Sequence, residues 1–110
     1  MTKQNQDFLM WSGDDKVITV TVYDNDDDVV DVTGATITWR LSQNIESEAL
    51  ITKTVGDGIA ISGHTFILTL EPADTTSLSG RYYHEAEITD ADGNVNTGMV
   101  GYATIKTDAI

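Results

Sequence analysis

Tyr82-Tyr83-His84-Glu85-Ala86-Glu87-Ile88-Thr89 sets Tyr82, His84, Ala86 and Ile88 on one parity and Tyr83, Glu85, Glu87 and Thr89 on the other. Successive side chains of a strand point to opposite faces, so this octapeptide predicts a half-buried strand. The same period of two recurs on either side of it. Lys16 to Tyr23 aligns Ile18, Val20 and Val22; Thr36 to Leu41 aligns Ile37, Trp39 and Leu41. Thr65 to Leu70 aligns Phe66, Leu68 and Leu70, and Val95 to Lys106 aligns Met99, Ala103 and Ile105. Shorter candidates are Phe8 to Trp11, Leu50 to Thr54 and Ile59 to Ile61. No helical stripe of three turns is present.

Turn chemistry separates these runs. Ser12-Gly13-Asp14-Asp15, Asp57-Gly58, Ser62-Gly63 and the hairpin signal Asp90-Ala91-Asp92-Gly93-Asn94 fall between strands. Glycine, aspartate and asparagine accept the backbone angles that turns demand. The single proline, Pro72, opens a predicted helical turn. Strands at this spacing predict one all-β domain, an immunoglobulin-like antiparallel β-sandwich of about seven to eight strands. Residues 1–6 read as a flexible N-terminal arm. Within the frame, Leu78-Ser79-Gly80-Arg81-Tyr82 has the layout of a tyrosine corner, and Trp39 is placed like the core tryptophan of such folds. Gly98 and Gly101 interrupt the last strand, where glycine marks a bulge or another backbone close by.

Composition removes several functions. With 110 residues, 40% of them hydrophobic, the chain has the material for a core of its own. It has no cysteine, so disulfides, thiolate metal sites and thiol nucleophiles are excluded. Eighteen acidic residues against six basic ones give a formal charge of −12. Such a polyanion repels nucleic acid and anionic lipid, so neither is expected as a partner. The opening Met1-Thr2-Lys3-Gln4-Asn5-Gln6 is polar and predicts no secretory signal. Lysis, or assembly into a larger particle, is then the expected route out of a cell.

Candidate sites are few. Asp24, Asp26 and Asp28 have the alternate spacing of a calcium loop, but Val29 and Ala35 occupy the positions of its glycine and glutamate. A solvated loop is expected there, with a weak calcium site as the alternative and no other metal. Glu85 and Glu87 share a strand face about 7 Å apart. They lack an expected cleft, and no serine or histidine pattern suggests a nucleophile, so the chain is read as no enzyme and without cofactor. His84 is expected at the sandwich rim. Ile67, Val100 and Tyr102, with Val17, are apolar at outward positions and are read as an interface. Trp11, Tyr83 and Tyr102 are candidate platforms for stacking sugars.

The order of motifs adds a resemblance. Val30-Asp31-Val32-Thr33-Gly34-Ala35, Ile37-Thr38-Trp39-Arg40-Leu41 and Asp57-Gly58-Ile59 come first. Leu70-Glu71-Pro72-Ala73-Asp74-Thr75, Leu78-Ser79-Gly80-Arg81-Tyr82-Tyr83 and Thr89-Asp90-Ala91-Asp92-Gly93 follow. This succession resembles the immunoglobulin-like domains of tailed-bacteriophage tail and baseplate proteins. It is most similar to the N-terminal domain of phage baseplate upper proteins, from about Phe8 to Ile105. In those relatives the domain usually begins a longer subunit. A chain ending at Ile110 is then expected as an adaptor, a tail, neck or fibre component, or a capsid decoration protein. The resemblance implies a structural virion protein, assembled in the host cytoplasm and docking onto other virion subunits as a homo-oligomer within the particle. It brings no catalytic residue. A surface carbohydrate-binding module is the alternative.

Overall fold

The computed structural model describes residues 4–24 and 26–107. Its elements are β1 (Gln4–Asn5), β2 (Phe8–Trp11), β3 (Lys16–Thr21), β4 (Thr36–Ser42) and β5 (Ala49–Val55). Then come β6 (Gly58–Ser62), β7 (Thr65–Leu70), a helical turn α1 (Pro72–Thr75), β8 (Gly80–Thr89) and β9 (Val95–Lys106). The fold is all-β, as the periodicity requires. The alternating residues singled out above are the buried ones. Ile37, Trp39, Leu41, Phe66, Leu68 and Leu70 are wholly inaccessible and belong to one continuous core.

The strands pair in the order β1-β9-β8-β4-β5-β6-β7-β3, with β2 also on β9. One group, β9-β8-β4-β5, and a second, β6-β7-β3, bring their apolar parities to the same core. Because β5 also pairs with β6, the two groups belong to one continuous mixed sheet around that core, not to the two separate sheets of the expected sandwich. Short connections join the two groups: Gly56-Asp57 links β5 to β6, and Ser12–Asp15 links β2 to β3. The second connection is fastened from outside. Gly13 N–H donates to the Thr75 hydroxyl at 2.9 Å, and the Ser12 hydroxyl donates to the Thr75 carbonyl at 2.8 Å. Thr75 is buried, and its helical turn is anchored to β5 by a Lys53–Asp74 ion pair at 2.9 Å.

Two further expectations need correction. The ladder is mixed rather than purely antiparallel, because β1 and β2 both run parallel to β9, and β5 meets β6 in parallel. The N-terminal residues are also not a free arm as far as they are described. Asn5 lies opposite Val100 and Phe8 opposite Ala103, so β1 and β2 are two pieces of one strand with a single register. The rest of the expected arm, residues 1–3, lies outside the described residues.

The two glycines of β9 serve different purposes. The β8–β9 register shifts between Ala86 and Glu87, leaving Gly98 as the extra residue of a bulge. Gly101 is a close approach, and the approaching backbone belongs to the chain itself. A Cβ there would lie 2.5 Å from the Gln6 carbonyl oxygen. The tyrosine corner is formed: Tyr82 Oη donates to the Ser79 carbonyl at 2.9 Å and accepts from Ser79 N–H at 3.1 Å.

Trp39→Ala removes a wholly buried indole and is expected to cost about 3–5 kcal/mol in denaturant unfolding. Tyr82→Phe keeps the ring and loses both corner bonds, for an expected loss of about 1–2 kcal/mol. Unfolding energies equal to wild type in either variant would place the core or the corner elsewhere.

Candidate functional site

The outer face of β2, β9, β8 and β4 is fixed by the same alternation that fills the core. Because Met10, Ala103, Tyr82 and Leu41 turn inward, their neighbours turn out. Across this face Trp11 lies opposite Lys106, Leu9 opposite Thr104, and Thr104 opposite Arg81. Tyr102 lies opposite Tyr83, and Val100 opposite Glu85, which faces Arg40 on β4. Three of the chain's six basic residues, Arg40, Arg81 and Lys106, therefore share a face with its most exposed aromatic groups. In a chain of charge −12, this face is close to balanced, its three cations meeting Asp7, Glu85 and Glu87.

Tyr102 and Arg81 form a ridge at its centre. The guanidinium carbon stands 4.1 Å from the centre of the Tyr102 ring, and Tyr83 meets that ring edge-on at 6.0 Å. Among the described residues the guanidinium donors meet no acceptor. A hollow of about 390 Å³ lies on one side of the ridge, lined by Gln43, Asn44, Ile45 and Tyr83. On the other side a shallower one of about 420 Å³ is lined by Asp7, Leu9 and Thr104. Tyr83 Oη donates to Glu85 Oε2 at 2.9 Å. Partial burial, then that bond to a carboxylate, push the phenol up to about 12.

The structure gathers some of the expected residues and separates others. Tyr83 and Tyr102 are together. Trp11 is exposed but sits four residues further along β9, about 13 Å away by strand rise, with the Lys106 ammonium 5.7 Å from its ring centre. It has a cation beside it and, among the described residues, no aromatic partner. Ile67 is half-buried on β7, between Thr19 and Ala60, at the far end of the strand order from β9. The expected interface of Ile67, Val100 and Tyr102 is therefore not one face. Val100 is half-buried beside β1, which leaves Tyr102 as its exposed member. Arg81, Gln43 and Asn44 were not singled out in the sequence. The hairpin register could have found Arg81, since it shares the outward parity of Tyr83.

The remaining candidates have local tasks. Asp24 Oδ1 accepts the Asp26 and Asp28 amides at 2.8 and 3.0 Å, closing its own loop. Among the described residues no group of three or more histidines or carboxylates converges as metal ligands. Asp31 is held low by the Thr33 hydroxyl and amide, and Asp90 by the backbone amide of Asn94. Glu85 and Glu87 flank Thr38 and Arg40 in a depression of about 170 Å³. His84 is not at the rim as expected. It is wholly buried beneath the N-terminal strand, on the opposite parity from both glutamates. Among the described residues no helix is long and apolar enough to cross a membrane.

No family model matches the chain, and no curated protein matches it significantly.

Two outcomes follow from this geometry. In a spectrophotometric titration Tyr83 should ionise near pH 12, above the ordinary phenol value of 10.0, and Glu85→Gln should bring it down. Calcium at millimolar concentration should raise Tm no more for wild type than for Asp26→Asn/Asp28→Asn, because Asp24 is already committed to its loop. A calcium shift confined to wild type would identify a metal loop instead.

Proposed function

We propose that the chain is a structural component of a tailed-bacteriophage particle. On this reading it is an immunoglobulin-like domain that docks onto other virion subunits and catalyses no reaction. The order of turn and strand motifs from Phe8 to Ile105 supports the phage assignment. The observation that carries the docking role is the exposed Tyr102–Arg81 ridge, whose guanidinium donors bond no acceptor among the described residues. Tyrosine, tryptophan and arginine are the residues that protein interfaces favour, because each combines apolar area with a polar handle. Trp11, Leu9 and Tyr102, each near half exposure, extend the ridge into a surface that gains from being covered. A tail, baseplate, neck or fibre-adaptor position fits this surface, with a homo-oligomer in the particle and the virion as its location. A capsid decoration protein would use it the same way.

One observation favours a second reading, a surface carbohydrate-binding module. The 390 Å³ hollow sets side-chain amides of Gln43 and Asn44 beside Tyr83 and Arg81. Those are the donors and apolar faces that a sugar ring engages.

Both side chains of the ridge are exposed, so Arg81→Glu/Tyr102→Ala should fold with wild-type Tm. Purified particles should contain the wild-type chain in several copies and exclude the variant. A variant incorporated normally removes the ridge from the interface, and absence of the wild-type chain from particles removes the virion role. Retention of wild type, but not of the variant, on an immobilised glycan array would favour the second reading.

A further inference from the structure

His84 is the buried titratable group that the proposed docking role does not use. Its two nitrogens are engaged on opposite sides. Trp39 Nε1–H points at Nδ1, 3.1 Å away. An indole N–H only donates, so Nδ1 must carry a lone pair and the ring proton sits on Nε2. Nε2–H then donates to the main-chain carbonyl of Gln6, and Phe8 covers the ring edge-on at 5.0 Å.

That carbonyl has been taken from the sheet. In a parallel ladder with Gln6 opposite Gly101, Gln6 N–H bonds the Val100 carbonyl and the Gln6 carbonyl should accept from Tyr102 N–H. The first bond is present at 2.8 Å. The second is replaced: Tyr102 N–H donates to Asp7 Oδ1 at 2.8 Å, and the Gln6 carbonyl turns inward to the histidine. The turned carbonyl lies over Gly101, which is why no Cβ fits there. Asp7, Gly101 and His84 thus form one device that seats the N-terminal strand.

We propose that His84 is a proton-sensitive latch: protonation of its imidazole unseats residues 4–11 from β9 while the remaining strands stay folded. A proton on Nδ1 would face the Trp39 N–H donor to donor. The charge would also lie in an apolar enclosure. The inward side chains around it are Trp39 and Leu41 on β4, Tyr82 and Ala86 on β8, and Met99 and Ala103 on β9. The inward residues of the second group of strands, such as Val20, Phe66 and Leu68, are apolar as well. Tyr82 is a phenol occupied at its corner, and Arg40, Glu85, Tyr83 and Tyr102 turn to the outer face. Asp7 is the charged group that reaches the ring, and its Oδ1 is committed to Tyr102. The cheapest path to water is the departure of the edge strand, held by two short parallel pairings, rather than opening of the core.

The sign follows from linkage. Burial holds the folded imidazole below its ordinary 6.5, against weaker opposing effects of the Gln6 bond and Asp7. The seated state is therefore favoured above pH 6.5, and the open state gains as pH falls from 6.5 toward the folded value. The open population of the seam rises by up to tenfold per pH unit in that window. The latch goes beyond the docking role and does not depend on it, because it is read on the isolated chain.

The test is amide hydrogen exchange of the full chain between pH 7.5 and 5.5, corrected for intrinsic exchange. Gln6, Ser12 and Tyr102 amides, the donors of the seam, should lose protection by up to about fivefold between pH 6.5 and 5.5. Val20 and Leu68 amides should not change. His64→Gln should behave as wild type, and His84→Gln should abolish the pH dependence. Gly101→Ala should open the seam already at pH 7.5. Ring nitrogen shifts of wild-type His84 stand independently should the variants fail to fold: an Nε2–H tautomer titrating below 6.5 is expected. An Nδ1–H tautomer, a midpoint at or above 6.5, pH-independent seam protection, or loss spread evenly over the molecule would each overturn the latch.

Discussion

A chain of two hydrogen bonds, from the Trp39 indole through the His84 imidazole to the Gln6 carbonyl, crosses the molecule from its core to its edge. Its members are 45 and 78 residues apart in sequence. Trp39 is the largest side chain in the interior, and its N–H would cost about 1–3 kcal/mol if buried without an acceptor. Histidine at position 84 supplies that acceptor. In doing so it fixes its own tautomer and acquires a donor that needs a partner in turn. The main-chain group that meets it, the Gln6 carbonyl, belongs to a neighbouring edge strand. Satisfying one buried tryptophan thus dictates where the N-terminus lies, why its ladder is interrupted at Gln6 and Asp7, and why residue 101 is glycine.

Much of this architecture was legible because it is governed by local alternation. Phe8–Trp11, Thr65–Leu70 and Val95–Lys106 begin and end where the pattern places them, and their inward residues are the buried ones. The tyrosine corner was legible too, since a phenol three residues past a serine at a strand entrance reaches the backbone it bonds. What was not legible depends on partners far apart in sequence. Nothing local tells Gln4–Trp11 to pair in parallel with the last strand. The polar hexapeptide therefore read as a loose arm, and His84 as a rim residue. Gly101 did carry the signal of a close backbone, but not whose backbone it was.

The site was legible by halves for the same reason. Parity alone put Tyr83 and Tyr102 outward, and the β8–β9 hairpin made them neighbours. Parity cannot say which group a strand joins, so Ile67 was grouped with residues that look the other way. Arg81 gained its meaning only through Tyr102, whose ring centre lies 4.1 Å from the guanidinium carbon and whose ring takes none of its hydrogen bonds. Charge works at a longer range. The acidic loops at Asp24–Asp31 and Asp90–Asp92 satisfy their own backbones. They leave the net charge of −12 as a field that repels copies of the chain from most approaches. The face with Arg40, Arg81 and Lys106 is where that repulsion is weakest.

Edge protection and surface function meet at β9. An unpaired strand edge invites pairing with other chains, and the N-terminal strand covers this one. The same strand contributes Asp7 and Leu9 to one side of the Tyr102–Arg81 ridge, and Asp7 holds the main chain of Tyr102 directly. The shape of the ridge is therefore conditional on the seating of residues 4–11. That seating depends on a histidine whose ordinary pKa lies just below neutrality. A wholly apolar residue at position 84 would fill the space but leave the indole N–H and the Gln6 carbonyl without partners. A lysine or carboxylate would bring a charge at neutral pH. Of the common side chains, the neutral imidazole donates and accepts at opposite ends of a rigid ring at pH 7 and loses that pairing in mild acid.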